Sequence, residues 1–522
     1  MPPLITRGTV PEFIKMKILI SYPPLSSGKK GYPTLGQNRQ FQYFKEPTHI
    51  YPVVPACAAT MLKAAGHEVI WNDCLAEGWS MERFKDFVKA QKPDLIAFET
   101  KTPVIKQIWS IVNDLNEIKG QSPKGTVPLF VFFGDHVTAL PQESMEKSRV
   151  DFILTGGDYD FLLLNLCNWL VQGSPNSRTQ ELKNSRTQLE PGIWYRDNGE
   201  IRNSGPFQLN HDLNSLPLID RQLTCWQLYA YNNGNYKRTP GAYIMSGRDC
   251  WWAKCTFCSW PTLYPQFRVR KVEKALDEIG ELIEKYGVRE IMDDTGCFPV
   301  GEWLADFCRG LLQRHYNKKI YLDCNMRFGA LGLEEFSLMK KANFRLLLFG
   351  LESANQETLD RINKNLKAER IIEDCKLATK AGLYPHITIM FGYPWESYED
   401  ALRTLNLGRW LLKKGYAYTM QATVVIPYPG SPLFQECKAA GLLKTLDWDA
   451  YDMKQPVMRT AMAEEKIMRL AQSMYKVSLE PQFLLRKIFA LRDFDDLKYY
   501  LRAAKKVAGH IFDFRQKDTS EE

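Results

Sequence analysis

The chain has 522 residues, 45% of them apolar and 12% aromatic, and its 68 basic and 60 acidic side chains give a formal charge of +8. That composition excludes a disordered chain, and the length calls for about two to four domains. So small a charge excess permits an anionic substrate or partner, but it favours an ordinary lysine-bearing surface over nucleic-acid binding.

The opening stretch MPPLITRGTVPEFIKMKILI has no basic start, apolar run and small-residue cleavage site of a secretory leader. No apolar run approaches the ~18 residues of a membrane span. Twelve cysteines in a chain of this length do not make a secreted disulfide framework. The expected setting is a reducing cytoplasm, where clustered thiols point to metal.

The first part of the chain alternates strand and helix signals. Short apolar runs at 17–21 (KILIS), 67–71, 94–98, 129–133 and 151–154 predict five strands, and helical spacing at 55–65 stops at Gly66. This rhythm predicts a doubly wound, Rossmann-like parallel sheet over 1–170, with ligands at the strands' C-terminal ends. Residues 173–205, rich in Ser, Asn, Arg and Gly, read as a polar excursion or hairpin. With a linker through LPLID at 216–220 they make up a segment over 171–238. A second series, 239–445, offers six strands at 242–245, 290–292, 320–322, 345–349, 387–390 and 422–426, with helices such as 271–286 and 356–362 between them. Six βα units predict a partial barrel, so the fold class is α/β throughout. Residues 446–522 predict a helical, basic region. Its Arg486, Lys487, Arg492, Arg502, Lys505 and Lys506 suit either a solvated face or an acidic macromolecule.

Directly after the first strand of the second series comes CWWAKCTFC, with Cys250, Cys255 and Cys258 inside nine residues. Loops after barrel strands carry chemistry. Three thiolates can hold a 4Fe-4S cluster by three of its irons, leaving the fourth open to a ligand. Zinc is the competing reading and would want a fourth ligand, which Cys297 or Cys324 could supply in space.

These residues resemble the radical S-adenosylmethionine (SAM) enzymes, in the subgroup with an N-terminal cobalamin domain. The family spacing is three residues then two; here it is four then two, with Trp251 and Trp252 in the longer gap. Phe257 matches the family's aromatic before the last cysteine. The resemblance continues at each strand end: MDDTG with Asp293 and Asp294, DCNMR with Arg327, FGLES with Glu352 and Ser353 followed by Lys364, and FGYP with Gly392 followed by Glu396. These imply SAM contacts. PYPGS, with Pro427, Tyr428 and Gly430, implies the substrate side, together with the aromatic linker 226–236.

In the N-terminal half the resemblance implies cobalamin contacts at Thr100, Lys101, Thr102, Gly134, Asp135, His136, Thr138, Gly156, Gly157 and Asp158. None of the seven histidines sits in a mutase-type Asp-x-His-x-x-Gly pattern. His136 is therefore expected to be a loop or tail-binding residue, and the cobalamin to be base-off without a protein histidine on cobalt. A degenerate domain without cofactor is the alternative.

The resemblance implies a cobalamin-dependent methyltransferase acting on an unactivated carbon of a small molecule, peptide or protein. Its 5′-deoxyadenosyl radical abstracts a hydrogen, and methylcobalamin supplies the methyl group. A flavodoxin- or ferredoxin-type donor, no nucleic acid and a monomer are expected. The alternatives are a radical SAM enzyme without methyl transfer, performing cyclisation, ring contraction or oxidation, and a zinc-stabilised binding protein.

Overall fold

The computed structural model describes residues 15–25, 32–34, 42–117, 128–172 and 188–513. The first unit is built on five parallel strands, β1 (Lys17–Tyr22), β4 (Glu68–Asp73), β5 (Leu95–Thr100), β6 (Leu129–Gly134) and β7 (Phe152–Leu154). The short ribbon β2 (Tyr32–Thr34) and β3 (Gln42–Phe44) lies outside their sheet. All six side chains of β5, LIAFET, are buried, as a strand covered on both faces requires. The helices Val53–Ala64 and Tyr159–Gln172 pack together on one face.

The hairpin β8 (Ile193–Asp197) and β9 (Glu200–Asn203) continues this sheet antiparallel from β7, giving seven strands in the order β4-β1-β5-β6-β7-β8-β9. Asn198 and Gly199 turn the hairpin with φ of 51° and 87°, a two-residue turn whose twist matches the strands. The first unit thus extends beyond the expected limit at 170 to include a hairpin at 193–203. Residues 173–187 of the polar excursion lie outside the described residues.

The second unit is a six-stranded parallel sheet in chain order: β10 (Gly241–Ile244), β13 (Glu290–Asp293), β14 (Tyr321–Met326), β15 (Phe344–Glu352), β16 (Tyr384–Phe391) and β17 (Thr419–Val424). It is the expected partial barrel. The ribbon β11 (Gly247–Arg248) and β12 (Arg268–Val269) clasps the base of the loop after β10. The helix Glu464–Lys476 crosses β17, where the Tyr475 hydroxyl donates to the Ala422 carbonyl at 3.0 Å and accepts its N–H at 3.1 Å. The helices Pro481–Phe489 and Phe494–Asp513 follow. No helix among the described residues is long and apolar enough to cross a membrane.

Candidate active site at the barrel mouth

The three cysteines lie on the loop between β11 and β12. Cys250 bridges in parallel to Cys297, which follows β13. Cys255 and Cys258 share a tight turn, the Cys258 N–H donating to the Cys255 carbonyl at 3.2 Å. The indole N–H of Trp251 donates to the Phe298 carbonyl at 3.1 Å, and that of Trp252 to the Asn363 carbonyl at 2.8 Å. Ala253 turns the chain with φ of 48°. The longer first gap is therefore accommodated by two anchored tryptophans and one left-handed residue.

The Cys297 thiol hydrogen-bonds Cys250. With the nearby N–H groups and Arg327 it lowers the Cys250 thiol to about 6 against the effect of burial. Burial raises Cys255 and Cys258. Among the described residues no trio of His, Cys, Asp or Glu closes around a single ion. Three half-buried sulfurs spread along one loop suit a multi-iron cluster, whose ligands bind separate irons.

Around the loop the expected SAM contacts divide into two groups. Arg327 lies at the cysteines: it reaches the Cys255 sulfur at 4.0 Å, sits 4.7 Å from the Trp252 ring centre, and donates to the Lys364 carbonyl. Glu352, at φ 59°, forms a buried ion pair with Lys364 at 2.8 Å, and Lys364 lies 5.9 Å from the Phe257 ring centre. A Cβ at Gly350 would fall 2.3 Å from Glu352 Oε1 and 2.6 Å from Lys364 Nζ, so glycine there makes room for the pair. Burial opposes the Lys364 charge, but Glu352 and Cys255 raise its pKa overall.

The other group is engaged in local structure. Asp293 accepts from the Ser246 N–H at 3.2 Å and from the Thr295 hydroxyl at 2.6 Å, closing the turn after β13. The Ser353 hydroxyl donates to Glu396 at 2.6 Å. Gly392, at φ 97°, lets the chain pass close to Ile467 and Val424. Asp294 is buried and lies near Lys101 of the first unit.

The C-terminal ends of the first sheet face this mouth. Arg248, two residues before Cys250, donates to Asp158 at 3.0 Å and to Asp160 at 2.5 Å. Asp158 also accepts from Arg268 at 2.6 Å and meets His211 Nδ1 at 3.0 Å, while His211 Nε2 lies 2.8 Å from Glu190. These cations hold the Asp158 carboxyl low although burial opposes it. Asp158 is thus committed to an ion cluster joining the two units. Gly157 is filled in the same way, since a Cβ there would fall 1.9 Å from the Tyr264 ring, and one at Gly156 would fall 2.5 Å from Phe207.

Thr100 donates to the Phe133 carbonyl at 2.8 Å. Thr138 donates to the Gly134 carbonyl at 2.7 Å and accepts from the Gly156 N–H at 3.0 Å. These residues tie strand ends to one another. His136 is fully buried, with Nδ1 3.2 Å from Thr102, Nε2 3.7 Å from Glu143, and the rings of Trp109 and Trp448 edge-on to it. Lys101 is buried between Glu99 at 3.4 Å and Asp135 at 3.8 Å. On the substrate side, Tyr428 is buried and donates to the Tyr451 carbonyl at 3.1 Å. Pro427 is buried beside it, and Gly430 packs against Thr262 and Ala139.

Sequence reading passed over three further groups. Asp249 adjoins the first cysteine; it is fully buried and its Oδ2 has no hydrogen-bond partner. Burial beside Cys250, Asp294 and Asp293 holds its carboxyl well above the usual range. Glu99 takes the Tyr22 hydroxyl on one oxygen at 2.6 Å and faces the Lys101 ammonium with the other at 3.4 Å. Arg248 provides the link described above. Position next to the motif was the available signal for Asp249 and Arg248; Glu99 had none.

The radical SAM superfamily profile matches residues 244–408, from the end of β10 into the helix Tyr398–Lys414. Over those residues this chain carries a radical SAM domain. An uncharacterized methyltransferase of Pyrococcus horikoshii is 26% identical over 481 residues, spanning 91% of this chain and 95% of its own length. Among solved structures, the cobalamin-dependent radical enzyme OxsB, with aqua-cobalamin and SAM bound, superposes with a TM-score of 0.67 at 14% identity, covering 95% of this chain and 72% of that one. The radical SAM methyltransferase TsrM of Kitasatospora setae, with cobalamin and a 4Fe-4S cluster bound, gives a TM-score of 0.65 at 12% identity and covers 94% and 99%. At such identities these two structures establish the shared two-unit fold. The chain is accordingly an enzyme with a radical SAM barrel beneath an N-terminal Rossmann-like sheet.

Proposed function

We propose that this enzyme is a cobalamin-dependent radical SAM methyltransferase that places a methyl group on an unactivated carbon of a small molecule, peptide or protein. One observation carries the reading: the C-terminal ends of the first sheet close over the cysteine loop, joined through Arg248 to Asp158 and Asp160. Two faces that would each carry a cofactor therefore stand opposite one another, as a substrate served by two cofactors requires.

The residues present fit both groups. Cys250, Cys255 and Cys258 would hold the cluster, with Arg327 and Lys364 as nearby cations. Lys101, Asp135 and Glu99 offer polar contacts for corrin amides. His136, packed between Trp109 and Trp448, supports a base-off corrinoid without histidine on the metal. When bound, the cluster with SAM supplies a carbon radical and the corrinoid a transferable methyl group. The chain positions these groups: Glu352 and Lys364 neutralise each other beside the loop, and the buried mouth keeps water from the substrate carbon. A flavodoxin- or ferredoxin-type donor in a reducing cytoplasm suits the free thiols.

The test is turnover after anaerobic loading with iron, sulfide and hydroxocobalamin. Equal yields of 5′-deoxyadenosine and S-adenosylhomocysteine from substrate support methyl transfer. Deoxyadenosine alone points to cyclisation or oxidation, and the absence of both overturns the reading. His136→Ala should leave the spectrum of the bound corrinoid unchanged.

A further inference from the structure

Twelve large apolar side chains are exposed among the described residues, and nine of them fall between 479 and 501. That concentration sets this segment apart from a surface with single exposed leucines. On the helix Pro481–Phe489, Leu485, Ile488 and Phe489 project with exposures of 52, 59 and 84%. On the helix Phe494–Asp513, Phe494, Leu497 and Leu501, spaced three and four residues apart, project with 68, 41 and 63%.

The charges on these helices are sorted by side. The acidic groups are engaged by cations of the barrel: Asp493 pairs with Arg238 at 2.7 Å, Asp495 with Arg289 at 2.8 Å, and the buried Asp496 with Lys237 at 2.9 Å. Four of the six basic residues named for this region also turn inward, as Arg486, Lys487, Arg502 and Lys506 donate to the carbonyls of Leu412, Tyr418, Tyr236 and Pro47. Arg492 and Lys498 remain exposed beside the apolar face, with the Lys498 ammonium 4.7 Å from the Phe494 ring centre. Lys505 is exposed one turn beyond Leu501 and reaches Glu46 at 2.8 Å.

We propose that this helix pair docks the enzyme onto an anionic lipid surface, with its phenylalanines and leucines in the acyl boundary and its outward cations at the headgroups. Leu and Phe on one side with Lys and Arg flanking them is the composition of an interfacial helix. A second copy fits less well, because an isologous contact would set Arg492 and Lys498 against themselves while the acidic partners are spent on the barrel. The patch adjoins Arg289 and Tyr321, at the strands' N-terminal ends and opposite the cysteine loop, so docking leaves the mouth free.

The experiment is vesicle co-sedimentation of the purified full chain, with phosphatidylglycerol mixed into phosphatidylcholine and with phosphatidylcholine alone. Binding should require the anionic lipid and weaken with salt. Phe489→Ser with Phe494→Ser should cut the partition coefficient at least about tenfold. Arg492→Gln with Lys498→Gln should cut it about fivefold per charge removed. All four positions are exposed, so the variants should stay folded, which circular dichroism checks. Sedimentation of the protein without vesicles overturns the proposal if it shows a dimer that the Phe variants dissociate. So does equal partition into neutral vesicles, no partition at all, or binding only to an acidic protein.

Discussion

The two ends of the barrel differ in how completely their buried acids are paired. At the base, Arg345 reaches Glu290 and Asp323, each at 2.6 Å, and Arg238 reaches Asp496 at 2.6 Å and Asp493 at 2.7 Å. Cations and anions alternate there within bonding distance. At the mouth, Asp249, Asp293 and Asp294 are buried together beside Cys250, with no cation bonded to Asp249 or Asp293 among the hydrogen bonds described. Acidic groups crowded in a dry place cost stability, and a chain keeps them where an incoming group benefits. The base holds the barrel together and the mouth is built to receive.

The largest expected effect separates the ends most sharply. Cys255→Ala should lower deoxyadenosine formation by on the order of 10³-fold or more while leaving the unfolding midpoint nearly unchanged. Chromatography and calorimetry on one preparation measure both. Arg345→Met should do the reverse, stranding Glu290 and Asp323 at a cost of about 3–5 kcal/mol. Denaturant unfolding reads that loss. An Arg345→Met variant as stable as the parent would break the comparison.

Asp249→Asn makes a finer distinction. The amide oxygen can still accept the Gly296 N–H, so stability should shift by less than about 1 kcal/mol, while activity falls about ten- to a hundredfold. Equal losses of both would move Asp249 from the receiving set to the supporting one.

What could be read along the chain, and what could not, follows the same division between local and tertiary signals. The central strands were legible because burial on both faces makes them continuous apolar runs: KILIS became β1 and LFVFF became β6. The cysteine loop was legible because its ligands are neighbours in sequence. The hairpin at 193–203 was only half legible, since its Asn198–Gly199 turn lies in a polar stretch that does not show the sheet it joins. Asp158, Gly156 and Gly157 read as open strand ends, yet their partners Arg268, Phe207 and Tyr264 lie far along the chain and only folding brings them in. Spacing could not reveal Arg248 as the joint between the units.

That joint gives the smallest predicted effect. His211 stands between Asp158 and Glu190; burial works against its positive form, but the two carboxylates raise it to about 9. A pKa raised above the ordinary 6.5 means that the folded protein holds a proton the unfolded chain releases. The contribution is complete below about 6.5 and disappears as pH rises through about 9. Because the ring is partly solvated, its size should be about 1–2 kcal/mol. The unfolding midpoint should therefore decline between these pH values, and His211→Gln should flatten the decline while lowering stability at pH 6. The base of the barrel has no histidine among the partners named for Arg345 and Arg238, so Arg345→Met should preserve the slope. If His211→Gln leaves the slope intact, the proton is held elsewhere and the joint between the units is not where the pH dependence arises.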